Sequence, residues 1–367
     1  MENIFSIERL RKSGHLGKTG AEEDRAVFLL EEIRRLKKEK DAFIIAHNYV
    51  DPALFNIADV LGDSMRLALE GGKTSKPVIV CCTVHFMAEG AKIYSPEKTI
   101  LLPNLAAGCS LAASADPDDV EDRVEELRAY FPDLQVVSYV NTSAAVKALS
   151  DVCCTSSSAV EIVKKLSARH ILFLPDQNLA TYVAEQSGRA VVPIDPKSNL
   201  REQTEFIRFL SRVGEYSEIV FAWGGNCYVH EQITPSQIRD YRDGIPGIVI
   251  FVHPECRKDV QILADEVLST EQMVTRAKAR SDQKFLIVTE CGLSERLEME
   301  VPDKEFFRSC QLCRYMKAIT LEDTLEALRN MKHVIEVPEA IRVPAKRALD
   351  RMFELSGNLK VTKRDIS

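Results

Sequence analysis

Several features that mark large classes of protein are missing from this chain of 367 residues. None of its apolar runs approaches the ~20 residues that a membrane-spanning helix requires, so we expect no membrane partner. Its net charge of -7 and the lack of a basic stripe argue against nucleic acid as a partner. Met1-Glu2-Asn3-Ile4 does not begin a basic segment that leads into an apolar one, so we expect no secretory signal and a cytoplasmic location.

The common nucleotide-binding patterns are missing as well. The chain contains no Gly-x-Gly-x-x-Gly segment, so dinucleotide binding has no support. Gly71-Gly72-Lys73-Thr74 ends like a phosphate-binding loop, but Leu67 stands where that motif needs a glycine, and the segment follows a predicted helix. The end of a helix followed by a polar turn explains these residues better.

Cysteine, in contrast, is abundant, with ten residues in a chain for which we expect a reducing compartment. Structural disulfides are rare there, and cysteines within apolar runs are typical of small buried residues. Four fit that description: Cys81, Cys82, Cys153 and Cys154. Cys256 and Cys291 are ambiguous. The last four lie in loop-like surroundings that favour a metal or redox role: Cys109, Cys227, Cys310 and Cys313.

Short apolar runs alternate with helical patterns along most of the chain. The predicted strands include residues 42–46, 78–82, 99–103, 134–138, 152–154, 171–174, 218–222, 247–252 and 284–288. A helix is predicted after Asp51-Pro52, as far as residue 61. Strands that alternate with helices form parallel sheets, so we predict an α/β protein.

The order of these elements repeats three times, at intervals of roughly a hundred residues, which is the size of a domain. We therefore predict three pseudo-symmetric, Rossmann-like α/β/α domains from a triplicated unit around a common centre. The predicted division is an N-terminal helical extension (1–40), three α/β domains (41–132, 133–245 and 246–330) and a C-terminal helical extension (331–367).

The three blocks deliver similar polar triplets where their first strands end. These triplets are His47-Asn48-Tyr49, Tyr139-Val140-Asn141 and His253-Pro254-Glu255. Each block also ends on a loop with a cysteine: Cys109, Cys227 and Cys313. Because α/β enzymes place their chemistry at the carboxyl ends of buried strands, we expect a site there.

The cysteines are compatible with two kinds of metal site. Zinc binds cysteine and histidine in fours with local pairs, and Cys227-x-x-His230 and Cys310-x-x-Cys313 offer such pairs. Three single cysteines at a threefold centre instead suit three irons of a [4Fe–4S] cluster, whose fourth iron is left for substrate. Spacing alone leaves both possibilities open.

Ten motifs in chain order resemble one known family, the quinolinate synthases of NAD biosynthesis. They are His47-Asn48-Tyr49, Gly62-Asp63-Ser64, residues 87–92, Leu102-Pro103-Asn104 with residues 109–112, Tyr139-Val140-Asn141, Thr155-Ser156-Ser157, residues 174–179, residues 225–231, residues 253–256 and residues 313–317. The resemblance extends from about residue 43 to about residue 328. One segment departs from it, because Leu268-Ser269-Thr270-Glu271 stands where the family usually has Gly-Ser-Thr-Ser.

The resemblance implies both an activity and a cofactor. It implies a transferase that condenses iminoaspartate with dihydroxyacetone phosphate to quinolinate, with loss of phosphate and water. It implies a [4Fe–4S] cluster bound by Cys109, Cys227 and Cys313, and a functional partnership with an L-aspartate oxidase. Cys310 resembles an extra cysteine of some members that can pair with a neighbour in a redox-sensitive way.

Proton transfers dominate such a reaction, so acids and bases are required. We assign Tyr49, Tyr139, His253 and Glu255 to catalysis, with Glu255 as the acid–base. The expected substrate contacts are His47, Ser64, Tyr139, Asn141, Ser156, His253, Glu255 and Thr270. We expect His230 to be a neighbour of the site rather than a ligand, and His85 and His170 to have no part in it. The alternative function is a metal- or cluster-bearing redox-sensing binding protein that uses the Cys310/Cys313 pair.

Overall fold

The computed structural model describes residues 4–210, 212, 218–309 and 311–357. The predicted C-terminal extension lies partly outside these ranges. Within them, parallel strands alternate with helices, so the α/β prediction is confirmed.

The described strands are β1 (Ala42–His47), β2 (Val60–Gly62), β3 (Val78–Cys82), β4 (Thr99–Leu101), β5 (Gln135–Tyr139), β6 (Val152–Cys154), β7 (His170–Leu174), β8 (Ala190–Ile194), β9 (Ile219–Trp223), β10 (Val249–Val252), β11 (Glu266–Val267), β12 (Lys284–Val288) and β13 (Glu305–Arg308).

The described α-helices are α1 (Ile7–Lys12), α2 (Gly20–Glu39), α3 (Ser64–Lys73), α4 (His85–Tyr94), α5 (Ser110–Ala113), α6 (Pro117–Tyr130), α7 (Ala144–Ala148), α8 (Ala159–Lys165), α9 (Gln177–Ser187), α10 (Thr204–Leu210), α11 (Tyr228–Glu231), α12 (Pro235–Gly244), α13 (Lys258–Gln261), α14 (Thr270–Ala279), α15 (Cys291–Glu300), α16 (Arg314–Lys317), α17 (Leu321–Asn330) and α18 (Glu339–Ser356). Pro52–Asn56 and Leu200–Glu202 are short 3₁₀ helices. The helix predicted as far as residue 61 is therefore wrong, since β2 begins at Val60.

The described strands form three parallel sheets with the same order of pairing. The orders are β2-β1-β3-β4, β6-β5-β7-β9-β8 and β11-β10-β12-β13. In each sheet the second strand in sequence lies at one edge, next to the first, and the third follows on the other side. The middle sheet differs by one added strand. This shared order is what a triplicated unit predicts.

A carboxylate bond also repeats once in every sheet. An aspartate accepts a hydrogen bond from the N–H of a strand residue fifteen positions earlier, at 2.7–2.8 Å. The aspartate's own N–H donates to the carbonyl of that same strand residue. The pairs are Asp59 with Ile44, Asp151 with Val136 and Asp265 with Ile250. Each pair closes the first crossover of its sheet and satisfies the backbone groups at the start of the second strand.

Two compact units divide the chain. The first unit consists of Met1–Cys109 and Tyr228–Val337, and it contains the sheets of β1 and β10. Its central strands are buried on both faces, as parallel sheets require. Gly292 marks a close approach in this unit, because a Cβ there would lie only 2.8 Å from the carbonyl oxygen of Asn48.

The second unit consists of Ser110–Cys227 and Pro338–Ser367, and it contains the five-stranded sheet. Its core holds many aromatic rings, including Trp223, whose indole N–H donates to the carbonyl of Ser114 at 2.9 Å. Helix α18 packs on α7, α8 and β6, so the C-terminal part of the chain completes this unit. The predicted five-part division of the chain stays a prediction. No helix among the described residues is long and apolar enough to cross a membrane.

The repeated aspartate bond predicts a loss of stability when the carboxylate is removed. Asp151→Ala leaves the buried Val136 N–H without its acceptor, so we expect the free energy of unfolding to fall by about 1.5–3 kcal/mol. Urea unfolding followed by circular dichroism measures the change. Asp122→Ala, which removes an exposed carboxylate from α6 of the same unit, is the matched control. Equal effects of the two substitutions would contradict the proposed importance of the bond.

Candidate active site

Residues predicted for the site occupy equivalent places in the three sheets. In each sheet one strand residue donates its N–H to the aspartate: Ile44, Val136 or Ile250. Three residues later the chain has His47, Tyr139 or His253, and five residues later it has Tyr49, Asn141 or Glu255. The same strand geometry therefore presents one side chain of each set at the carboxyl end of each sheet.

The first unit joins four of its polar side chains into one chain of hydrogen bonds. The Tyr49 hydroxyl lies 2.6 Å from Oγ1 of Thr289, which lies 2.8 Å from Nε2 of His230. His230 Nδ1 in turn lies 3.1 Å from a Glu255 carboxylate oxygen. Thr289, His230 and Glu255 are buried, while Tyr49 is partly exposed. We refer to Tyr49, Thr289, His230 and Glu255 as the relay.

The donor and the acceptor of each hydrogen bond in the relay follow from the Glu255 carboxylate. An ionised Glu255 only accepts, so His230 carries its proton on Nδ1 and leaves Nε2 as an acceptor. Thr289 then donates to His230 Nε2 and is free to accept from the Tyr49 hydroxyl. The geometry thus links a phenol, which is partly accessible to solvent, to a buried carboxylate.

His47 and His253 flank the relay as buried, neutral imidazoles. Burial lowers the pKa of each ring to about 3; the positive charge of Arg296 adds to the effect at His47. Nδ1 of His47 accepts the Tyr49 N–H at 3.2 Å, and Nδ1 of His253 accepts the Glu255 N–H at 3.3 Å. The proton of each neutral ring is therefore on Nε2, which is a donor suited to an anionic oxygen. His253 also stacks on His230 with 4.7 Å between ring centroids.

Thr270 is buried at the start of α14 and is held by Asn48. Its Oγ1 accepts from the Asn48 amide at 3.2 Å. Glu271, which departs from the family pattern, accepts from the same amide and from Arg296. The Arg296 side chain is only 4% exposed and also donates to Glu300 and to the side-chain amide oxygen of Asn48. The replaced residue thus serves as a counter-ion for a buried guanidinium.

Ser64 begins α3, directly after β2, and is partly buried. The residue before it, Asp63, caps the helix by accepting the N–H of Arg66 at 3.0 Å. Gly62 pairs with His47 in the sheet, so the serine follows the strand neighbour of that histidine.

Tyr139, Asn141 and Ser156 belong to the second unit and follow the neighbouring strands β5 and β6. Tyr139 is paired with Cys154 and is buried. The carbonyl oxygen of the Asn141 side chain is buried without a hydrogen-bond partner among the described residues. Such an oxygen is unusual in a folded chain and is suited to a bound donor.

Cys109, Cys227 and Cys313 are reduced thiols, and each is partly buried. Two of them lie in the first unit, where the loop of Cys109 approaches that of Cys313: a Cβ on Gly108 would contact the ring of Tyr315 at 3.8 Å. Burial raises the pKa of the Cys313 thiol. Its N–H donates at 3.2 Å to Glu290, whose pKa burial raises to about 7.

The other cysteines divide as the sequence predicts, with one exception. Cys81, Cys82, Cys153 and Cys154 are fully buried, and burial raises the pKa of Cys153 to about 12. Cys291, which the sequence left ambiguous, forms a disulfide, although we expect such bonds to be rare. Cys310 lies outside the described residues, and the redox-sensing alternative, which depends on it, gains no support.

Neither His85 nor His170 belongs to the relay. The His85 side chain is exposed. His170 lies in the second unit, where its Nδ1 is 2.5 Å from a carboxylate oxygen of Asp133.

Sequence reasoning missed Thr289 and underestimated His230. Thr289 directly follows β12, as Thr83 follows β3, so its position after the third strand of a block was the available signal. Nothing in the spacing places it between a tyrosine and a histidine 240 and 59 residues away.

The fold and the relay define a parallel α/β enzyme with acid–base side chains at the carboxyl ends of its strands. Residues 31–354 match the sequence model of the quinolinate synthetase A protein family. The chain is 41% identical over 326 residues to the quinolinate synthase of Geotalea uraniireducens (strain Rf4), covering 88% of this chain and 96% of that protein. It is 39% identical over 327 residues to the quinolinate synthase of Agrobacterium fabrum (strain C58 / ATCC 33970), covering 89% and 85%. The chain therefore belongs to the quinolinate synthase family.

The buried histidines predict a specific dependence of stability on pH. The pKa of His253 is near 3 in the folded chain and about 6.5 when unfolded, so the unfolded state binds more protons in between. Stability should therefore fall as the pH drops from about 6.5 towards 3, by up to about 1.4 kcal/mol per pH unit for each such histidine.

His253→Gln tests this expectation because glutamine does not titrate. Urea unfolding of the metal-free chain between pH 7 and pH 4.5 should show a slope smaller by about one proton than that of the unsubstituted chain. An unchanged slope would mean that His253 is protonated when folded.

Proposed function

We propose that this member of the quinolinate synthase family condenses iminoaspartate with dihydroxyacetone phosphate to form quinolinate, with loss of phosphate and water. It would thus act as a transferase in NAD biosynthesis, with an L-aspartate oxidase as the supplier of its imine. The observation that carries the proposal is the relay, which connects a partly exposed phenol with a buried carboxylate beside two neutral histidines. A condensation followed by a dehydration needs protons moved at such a place.

The substrates carry carboxylates and a phosphate, and the candidate contacts are suited to them. In the first unit the Nε2–H groups of His47 and His253 donate without adding charge, because burial keeps the rings neutral. The hydroxyls of Ser64 and Thr270 are the further donors that we assign there. In the second unit we assign Tyr139, Asn141 and Ser156 to substrate, and the unsatisfied oxygen of Asn141 supports a contact with a substrate N–H or O–H.

The relay is suited to remove and return a proton at the Tyr49 hydroxyl. With Tyr49 donating to Thr289 and Thr289 donating to His230, the Tyr49 hydroxyl would pass its proton to Thr289 as Thr289 passes its own to Nε2 of His230, and the negative charge of Glu255 would stabilise the resulting imidazolium. The Tyr49 phenolate would then accept a proton from the substrate, and the reverse transfers would return it. Thr289 thereby holds the Tyr49 hydroxyl and the His230 ring at hydrogen-bond distance from its own hydroxyl. His253 restricts rotation of the His230 ring by stacking on it. The Tyr139 phenol is assigned a parallel acid–base function in the second unit.

We further propose that Cys109, Cys227 and Cys313 are the thiolate ligands of a [4Fe–4S] cluster. Three reduced, partly buried thiols in separate loops fit that donor set, since such clusters are bound by cysteine thiolates. When bound, the cluster supplies a Lewis-acidic iron that polarises a substrate oxygen.

Metal analysis tests the ligand assignment. Protein purified without oxygen should contain about four irons and four sulfides per chain. Cys109→Ser, Cys227→Ser and Cys313→Ser should each lose most of the iron, because serine replaces a thiolate ligand. Cys153→Ser, a substitution at a fully buried strand position, serves as the control and should retain it. A colourless protein that contains zinc would refute the cluster.

A pair of substitutions at Thr289 tests the relay. Thr289→Val keeps the shape of the side chain but removes the hydroxyl, so kcat for quinolinate formation should fall by about 10²–10⁴-fold. Thr289→Ser keeps the hydroxyl and should retain most of the activity. Iron content should be unchanged in both, which separates loss of proton transfer from loss of cluster. Equal activity of the two variants would remove Thr289 from the mechanism.

A further inference from the structure

We propose that Glu290 and Lys317 are positioning residues that fix the Cys313 loop against the turn carrying Tyr49. They would thereby couple a ligand of the proposed cluster to the first member of the relay. The inference rests on the proposed function for its consequence in catalysis, but its contacts all lie within the first unit and are described without that function.

Glu290 holds the Cys313 loop through several bonds. Its side chain is fully buried, and one carboxylate oxygen accepts the Cys313 N–H at 3.2 Å. The backbone beside it forms a parallel bridge with Gln311, whose carbonyl accepts the Cys291 N–H at 3.3 Å. The loop before the proposed ligand is therefore attached to the end of β12.

The other oxygen of Glu290 holds the residue that touches the Tyr49 turn. It accepts the Gly292 N–H at 2.6 Å. Gly292 packs so closely on this turn that a Cβ there would lie 2.8 Å from the carbonyl oxygen of Asn48 and 3.0 Å from Cα of Tyr49. The Glu290 carboxylate thus bonds the Cys313 loop with one oxygen and, with the other, Gly292, which packs on the Tyr49 turn.

Lys317 also links the Cys313 loop to the Tyr49 turn. It lies at the end of α16, four residues after Cys313, whose carbonyl accepts the Lys317 N–H at 2.9 Å. Its ammonium group lies 3.5 Å from Glu290 and donates to the carbonyl of Val50, the residue after Tyr49, at 3.3 Å. A second carboxylate, that of Glu295, is 3.9 Å away.

Net stability does not explain such an arrangement. A buried ion pair gains little over an apolar pair of similar volume, because both charges lose their hydration. The Glu290 carboxylate is fully buried, and each of its oxygens accepts a backbone N–H. It therefore fixes the positions of the two groups that it bonds. Here those groups are the loop of a proposed metal ligand and the support of a proposed catalytic phenol.

Hydrogen–deuterium exchange of the full chain tests the coupling without reference to the cluster. Glu290→Gln cannot accept both N–H groups, so exchange should become faster at residues 311–317 and also at residues 47–50. Lys317→Met should have the same two effects. Glu295→Gln removes an equal charge from a carboxylate that faces Lys317 but not Cys313, so it is the matched control and should leave both segments unchanged.

The variants also predict a loss of cluster stability. Glu290→Gln and Lys317→Met should lose iron to a chelator about 10–100-fold faster than the unsubstituted protein, as is usual for partners of metal ligands. The double variant Glu290→Gln/Lys317→Met removes the uncompensated charge and should recover thermal stability, yet it should still lose iron fast. Recovery of both properties would reduce the pair to a structural ion pair and overturn the proposal.

The two proposals fail in different ways. If exchange rises only at residues 311–317 while residues 47–50 stay protected in both single variants, the coupling is wrong whatever the chain catalyses. If the unsubstituted protein binds no iron, the proposed cluster is wrong, while the exchange measurement still decides whether Glu290 and Lys317 couple the two segments.

Discussion

Closure of the first crossover by an aspartate is the constraint on which the site depends. In each sheet one carboxylate bonds a strand N–H fifteen residues earlier, and this bond fixes the first strand relative to the second. Side chains three and five residues beyond the bonded strand residue then emerge at the same edge of every sheet. In the first unit, each of the two sheets therefore presents a pair of polar residues, His47 with Tyr49 and His253 with Glu255.

These pairs were predictable because parallel strands end together. A polar triplet that follows a buried run marks that end in the sequence, and three such triplets at similar intervals indicate the repeat. Thr289 was not predictable in the same way, since its importance lies in two distances to residues far away in the chain. The short edge strand β2 was also missed, because three residues carry too little pattern to be distinguished from a helix.

The two flanking histidines differ from the relay histidine in their hydrogen-bond partners, since all three rings are buried. His47 and His253 accept N–H groups on Nδ1 and remain neutral, whereas His230 forms hydrogen bonds with Thr289 and Glu255 through its two ring nitrogens. The neighbouring carboxylates of Glu271 and Glu300 balance the charge of the buried Arg296 guanidinium.

The second unit is assembled from segments that are distant in sequence. Residues 110–227 form its sheet, but α18, which covers α7, α8 and β6, is separated from them by about a hundred residues of the first unit. During synthesis on a ribosome, the apolar faces of α7 and α8 must therefore remain uncovered until residues 339–356 have emerged. The first unit has a similar delay, since its two sheets are separated by the whole of residues 110–227. The first unit cannot mature before residues 110–227 have been translated, and the second cannot mature before the whole of the first. A nascent chain of this architecture is therefore exposed to aggregation, and to chaperones, for much of its synthesis.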